Sequence, residues 1–566
     1  MAMSATSSNL IVYLVHKYNV KAIRAAQISN IVRGCMQLAP VVGAALSDAF
    51  FGSYPVIVVG LVLSLLSFVL FTFTATFSSL LPPPCQHAAG GGGSTATSCE
   101  PPNAIQFAVL YVALFLLVVG NGGTRYNMAA LGADQFAGEG RRRRRGSFFS
   151  CYFAFLYASY AAGDTVLVYV QDGVSWALGF GVSVATTGLG LAALLLGSRH
   201  YRRPVPNGSP FTALARVAVA AARKATVDLG SRVQYYHGCK NRDAETTTTS
   251  QQPRADKAPS ERFRYANNYY YKLFKNVHGR ILKKFVRFLN RAAMVAPGET
   301  REEDGSVAKP WRLCTVQQVE DLKSVVRVLP LWSSGILVGV TVNAQVSLTV
   351  LQALTMDRAI GRRFAVPAAS VTVTVLAAFV LTAALFDRLA APLWHGKLVV
   401  TPLRRVGLGH TLNVASMAVA ALVERRRIGA ARAAAAAAVV PMSALWLVPQ
   451  LALTGAEEAL HLPGNTALFY GEFPASLRST ATAMPPLFIA AGSYLSTAVV
   501  DTVRRSTTWL PDDLNASRLD SVYWTLAALA AVNLGYFLVC ATTYKYNNGS
   551  GDDGNVKAQT QTDDVS

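Results

Sequence analysis

Residues 56–77, VIVVGLVLSLLSFVLFTFTATF, run for twenty-two positions without a charge. A backbone in hydrocarbon must satisfy its own hydrogen bonds, so a run of this kind reads as a membrane-crossing helix. About 20 apolar residues reach across a bilayer core. ASVTVTVLAAFVLTAALF (369–386) and YWTLAALAAVNLGYFLVCATT (523–543) repeat the pattern. Of the 566 residues, 52% are hydrophobic and only 15% charged, a balance foreign to a water-soluble protein of this size. The start has no basic stretch and no small-residue cleavage site, so no cleavable signal peptide is expected.

Twelve spans are expected, near 4–18, 24–48, 54–78, 104–131, 147–170, 174–197, 323–350, 366–391, 403–423, 439–462, 474–502 and 519–543. The first offers mainly SNLIVYLV and reads as an incomplete helix. The chain then divides into an N-terminal bundle (1–197), a basic loop (198–322), a C-terminal bundle (323–545) and a tail (546–566).

The loop carries much of the net charge of +21. Its TTTTSQQP reads as disordered, and YYYKLFKNVHGRILKKFVRFL (269–289) as a helix lying on the inner membrane face. The positive-inside rule places this loop, RRRRR (141–145) and both termini in the cytoplasm. Contact with anionic lipid or nucleic acid is the alternative reading of the charge. The segment shows little of the apolar periodicity that a soluble module would need. The partners expected are the bilayer, a small anion and protons, without nucleic acid.

PPPCQHAAGGGGSTATSC (82–99) then faces outward, where Cys85 and Cys99 either pair or stay free. Asn515, in the sequon NAS, is an outward glycosylation acceptor. ERRRIGAAR (424–432) also falls outside, against the charge rule, and the sequence offers no account of it. No Walker loop, HExxH or paired CxxC is present. The seven cysteines are scattered, so no enzyme, cofactor or metal site is expected.

Ionisable groups inside spans are costly and usually face a bundle interior or a water-filled cavity. Those singled out are Arg125, Glu457, Glu458, Asp48 and Asp164. Arg125 follows the glycine cluster that includes Gly122 and Gly123, in GNGGTRYNMAALGADQF. Its planar fork of donors suits carboxylate or nitrate oxygens; a structural ion pair is the alternative. Glu458, in LALTGAEEALHLPGN, belongs to the other bundle, so a pair with Arg125 would bridge the two halves. Glu457 points about 100° away around a helix, and only one of the two glutamates is expected to face the cavity. Asp48, with Gly52 in the following turn, and Asp134 in GADQF are expected to be structural. Asn343 and Gln345, in VTVNAQVSL, bring amides into the seventh span, facing either a pocket or other helices. Among the cavity candidates, arginine cannot lose its proton and asparagine cannot titrate. That leaves Glu458 as the residue expected to couple protons.

At these residues the chain resembles the plant nitrate and peptide transporter family, the plant branch of the proton-coupled oligopeptide transporters. The resemblance runs through GNGGTRYNMAALGADQF, FFSCYFAFLYASYAAGDTVLVYVQDGVSWALGFG, GEFPASLRSTATAM and WLPDDLNASRLDSVYW, and covers nearly the whole chain except the central loop and tail. Arg125 where lysine is common, together with LTMDR, resembles the second plant subfamily. The resemblance implies an all-α membrane protein of the major facilitator superfamily fold: two six-helix bundles, a central cavity and alternating access. It implies secondary active transport of nitrate or another small organic anion, coupled to protons, at the plasma membrane or, alternatively, the vacuolar membrane. Arg125 and Glu458 match the family's charged pair across the bundles. With Asn343 and Gln345 they form the expected substrate site. Asn343 stands where some nitrate carriers have histidine, which counts against a histidine-based nitrate site. The resemblance also implies an E-x-x-E-R motif before SNLIVYL, where only MAMSATS stands; a truncated start is expected, and a protein lacking the motif is the alternative. A non-transporting receptor on the same fold, or a carrier of peptides, glucosinolates or hormones, is the competing reading.

Overall fold

The computed structural model describes residues 1–83, 86–87, 97–98, 100–135, 152, 155–203, 210–225, 235–236, 288–296, 299, 307–361, 364–386, 401–434, 439–473, 477–511 and 513–544. RRRRR, the tail, Cys85, Cys99, TTTTSQQP and all but the end of the expected surface helix at 269–289 lie outside these residues.

Among the described residues, helix stands at each of the twelve expected positions. Nine helices there are long and apolar enough to cross a membrane. The α-helices, in chain order, are α1 (Ala2–His16), α2 (Ala22–Leu46), α3 (Ser53–Thr76), α4 (Ala104–Thr124), α5 (Asn127–Asp134), α6 (Trp176–Leu196), α7 (Pro210–Arg223), α8 (Val316–Thr355), α9 (Val373–Leu385), α10 (Pro402–Ala433), α11 (Val448–Glu472), α12 (Arg478–Ser506) and α13 (Leu519–Thr543). The fifth span is helical over 155–174 and holds two π-helical turns, Gly163–Leu167 and Val170–Val174.

Local chemistry sets the helix ends. Asn103 and Gln106 form a reciprocal capping box at the start of α4. Thr401 caps α10 ahead of Pro402. Gly52, at φ 76°, turns the chain between α2 and α3 in a conformation that suits glycine. Asp48 is exposed in the π-helical turn Ser47–Phe51 just before it. Asp134 closes α5, and its side chain lies outside the described residues.

Two compact units emerge, cut differently from the expected domains. One comprises Met1–Thr212, Pro330–Ala467 and Thr482–Phe537, so it takes in most of both expected bundles. The other comprises Ala213–Leu329, Leu468–Ala481 and Leu538–Ser566. The reason is helix length. α8 has 40 residues, roughly 60 Å of helix, about twice the hydrocarbon thickness of a bilayer.

The second unit has a small core of its own, contrary to the weak periodicity read from its sequence. Val217, Ala220 and Ala221 on α7 pack with Leu289, Ala292, Ala293 and Val319. Lys224 and Glu299 form a buried ion pair at 2.6 Å.

In the first unit, glycines bring α2, α3 and α4 together. A Cβ on Gly122 would come within 3.0 Å of the Ala39 carbonyl, and one on Gly123 within 2.7 Å of the Val56 carbonyl. A Cβ on Gly43 would collide with the Gly122 carbonyl. Small residues permit backbone approach of this kind between membrane helices.

The ninth span ends later than expected, because ERRRIGAAR is helix rather than loop. Arg427 and Glu424 are fully buried and paired at 2.7 Å. Arg427 also donates to Thr355 Oγ1, to the Leu514 carbonyl and to Asn515 Oδ1. Arg426 lies over the Trp446 ring at 4.1 Å. Arg426 and Arg427, two of the four arginines of this stretch, are therefore engaged by protein groups.

Candidate functional site

A cavity of about 330 Å³ lies within the first unit. Its walls come from α1, α2, α4, the fifth span, α8, α11 and α12. Two arginines, Arg33 and Arg125, two glutamates, Glu457 and Glu458, and one histidine, His461, line it.

Arg125 is set by the helix break that follows it. α4 ends at Thr124, and the chain turns at Arg125–Tyr126 before α5 begins. Asn121, one turn earlier, donates to the Met36 carbonyl at 2.8 Å and ties α4 to α2. Arg125 Nη1 then donates to Gln37 Oε1 at 2.7 Å. The expected pair with Glu458 is not formed as a direct contact: among the described residues, no guanidinium nitrogen of Arg125 or Arg33 comes within 4.0 Å of a Glu458 oxygen.

Arg33 is the residue that sequence reasoning missed. It lies on α2 in SNIVRGCMQLAP and interacts electrostatically with Glu458 on α11 and Asp164 in the fifth span. The signal was available, since an arginine inside an apolar helix is rare. Asp164 accepts from Ser4 at 2.5 Å and Ser8 at 3.1 Å.

Both glutamates line the cavity, although only one was expected to face it. Glu458 is partly buried. Glu457 is 1% exposed. The cavity spans a wide arc of α11, and a 100° separation does not remove either residue from it.

Asn343 lines the cavity, with its amide nitrogen bonded to the Gly339 carbonyl at 2.7 Å. Gln345 does not line it. Two residues on from Asn343, it points about 160° away around α8. There it joins a buried network, donating to Ser416 at 2.9 Å and accepting from Thr454 at 2.8 Å. Its surroundings are those of a structural amide within the C-terminal helices. Gly122 and Gly123 act through close packing, as described above.

Polar contacts join the N-terminal and C-terminal helices. Asn30 donates to Ser347 Oγ at 3.3 Å, and Ser370 Oγ donates to the Asp164 carbonyl at 2.9 Å. Asp172 lies 3.9 Å from Arg358 across this boundary, and 3.9 Å from His16 within the N-terminal helices. Apolar contacts join the same helices: residues of α1 and α2 share a core cluster with residues of α8, and Tyr157 stacks on Phe379 at 5.9 Å.

Residues 54–516 match the POT family. The chain is similar to the Arabidopsis thaliana protein NRT1/PTR family 2.3, 40% identical across 98% of this chain and 92% of that protein. It is also similar to Arabidopsis thaliana NRT1/PTR family 2.7, 41% identical across 96% and 90%. Among solved structures, an auto-inhibited POT family peptide transporter superposes with a TM-score of 0.69 at 16% identity, covering 97% of this chain and 96% of its own. A POT family transporter in complex with 5-aminolevulinic acid gives a TM-score of 0.59 at 13% identity, covering 96% and 94%.

Proposed function

The chain belongs to the POT family, as a multi-pass membrane transporter with the major facilitator superfamily fold, and we propose that it carries a small anion together with protons. The first candidates are nitrate and small organic anions, and the proposed site is the plasma membrane. One observation carries this reading: two guanidiniums and two carboxylates line one cavity.

With all four charged, their formal sum is zero, so a lone anion meets no net attraction. A proton on either carboxylate leaves one positive charge uncompensated, which an anion then balances. Anion and proton therefore favour each other's binding through ordinary charge balance. Arg125 supplies a forked donor set suited to planar oxyanions. Gln37 and Asn121 hold that fork at the seam of α2 and α4.

The proposed cycle is alternating access. The halves rock about the cavity while the polar links Asn30–Ser347, Ser370–Asp164 and Asp172–Arg358 are made and broken. Glu458 is proposed to carry a coupled proton. Its electrostatic partner is Arg33, in the opposite half. In the proposed topology both termini and residues 198–322 are cytoplasmic.

The test is uptake into oocytes or proteoliposomes of nitrate, a dipeptide, a glucosinolate and plant hormones, at acid and neutral external pH. The expected result is saturable uptake of an anion, stimulated by acid. Binding without uptake, or uptake confined to neutral or cationic substrates, would overturn the reading.

A further inference from the structure

Glu457 poses a question that the charge balance of the cavity does not answer. Both of its carboxyl oxygens are buried and have no hydrogen-bond partner among the described residues. A carboxylate without donors is expensive inside a membrane protein. One turn along α11, His461 Nδ1 lies 3.9 Å from Glu457 Oε1, and each side chain is 1% exposed. His461 Nε2 has no partner either. His410, on α10, meets the His461 ring edge-on at 5.2 Å, and its own Nε2 is buried and unpartnered.

The close packing behind this cluster is specific. A Cβ on Gly409 would fall 2.9 Å from the His461 Cβ, so glycine lets α10 approach α11. Phe537 stacks on His410 at 4.5 Å, and Phe488 meets His461 edge-on at 5.5 Å. The charged and titratable groups facing the pair are few. Glu458 is its neighbour on α11. Arg33 and Arg125 face it from α2 and α4, and Tyr160 from the fifth span. From α10, besides His410, Arg405 donates to the Ala459 carbonyl at 2.9 Å. The cavity-lining residues of α8 and α12 carry no ionisable side chain.

We propose that Glu457 and His461 form a second proton-binding site in the cavity wall, distinct from Glu458. The pair has two states. Without the extra proton it is a bare carboxylate beside a neutral imidazole, with a net charge of −1. With it, the pair is either a neutral acid beside the imidazole or a carboxylate–imidazolium pair, and its net charge is zero. The proton arrives from water in the cavity and leaves the same way, so no other reactant is needed. Loading the site removes one negative charge from the wall that faces the anion. This role rests on the transport reading above.

The test uses the purified full-length chain in lipid nanodiscs. Infrared difference spectra are recorded from about pH 5 to pH 9, across the range where carboxyl and imidazole groups titrate in proteins. The expected result is a pH-dependent carbonyl band that E457Q removes, that E458Q leaves in place, and whose midpoint H461Q moves. In voltage-clamped uptake, E457Q should lower the proton-to-substrate ratio by one while uptake persists. A spectrum unchanged by E457Q, or a midpoint unmoved by H461Q, would overturn the site. Should E457Q fail to fold, the H461Q midpoint decides the matter alone. A wild-type chain that keeps the Glu457 band but moves substrate without protons would overturn the coupled-transport reading and the site's role in it, leaving the titration itself intact.

Discussion

Arg125 donates to Gln37 across the seam of α2 and α4 at 2.7 Å, and makes no direct ion pair with Glu458. Its charge is therefore held by an amide within the N-terminal helices and stays available to a ligand. Gln37→Ala should cost part of the uptake efficiency by loosening the fork. Arg125→Ala should cost about 2 kcal/mol or more, roughly 30-fold in uptake efficiency at equal surface abundance. Arg125→Lys keeps the charge, loses the fork and should be intermediate. Normal uptake by Arg125→Ala would remove it from the site.

Arg33 interacts electrostatically with carboxylates in both halves, Asp164 and Glu458. Its removal leaves both without their common cation. Arg33→Ala should abolish uptake and flatten the pH profile, whereas Arg33→Lys should retain part of each. Initial uptake rates from pH 5 to 8, corrected for surface abundance, check this. An Arg33→Ala profile matching the wild type would show that the interaction is idle.

These two arginines show how much of the site was legible in the sequence. The helix positions were readable because lipid demands about 20 apolar residues per crossing. Arg125 stood out because glycines mark its helix. Arg33 did not, since α2 reads as one span and its polar residues look like background. Gln345 was placed in the cavity beside Asn343, although 100° per residue puts them on opposing faces of α8. The end of α10 was misread because a run of Glu and Arg looks like a loop until its pairing is known. A sequence carries no distance between residues 427 and 515. The core of the second unit was missed because its pieces, near 217, 290 and 316, are far apart along the chain.

Glu458 is proposed to carry a coupled proton, so Glu458→Gln should remove acid stimulation that depends on it. The variant fixes the site in a neutral form. Uptake that remains should vary less between pH 5 and 8 than in the wild type. Acid stimulation that survives Glu458→Gln unchanged would show that another group handles every coupled proton. Residual stimulation lost only in the double variant with Glu457→Gln would assign a proton to each glutamate.

Glu424 and Arg427 form a fully buried pair in α10. Breaking one side strands the other charge, at a cost of about 3–5 kcal/mol. Glu424→Gln should therefore lower the unfolding temperature of purified protein markedly. Glu424→Leu with Arg427→Met removes both charges and should recover part of the loss. A Glu424→Gln protein as heat-stable as the wild type would show that the pair is not what holds this helix end.

Cys314 lies in the second unit, ahead of α8, and is 2% exposed. Burial pushes its thiol up to about 11 from an ordinary 9.0, against the opposing pull of Lys224 and Arg216. The thiolate is the reactive form, so the native chain should resist maleimide at Cys314 near neutral pH, and the unfolded chain should not. The sign for stability follows from proton binding. Above pH 9 the unfolded chain sheds the thiol proton while the folded chain keeps it, so this contribution is complete below pH 9. It falls as pH rises toward 11. Lys224→Ala should unpair the buried Glu299 and open the core around Cys314, raising the labelling rate. Peptide-resolved mass spectrometry after timed alkylation reads this directly. Labelling of native Cys314 as fast as in denaturant would contradict the packed core of the second unit.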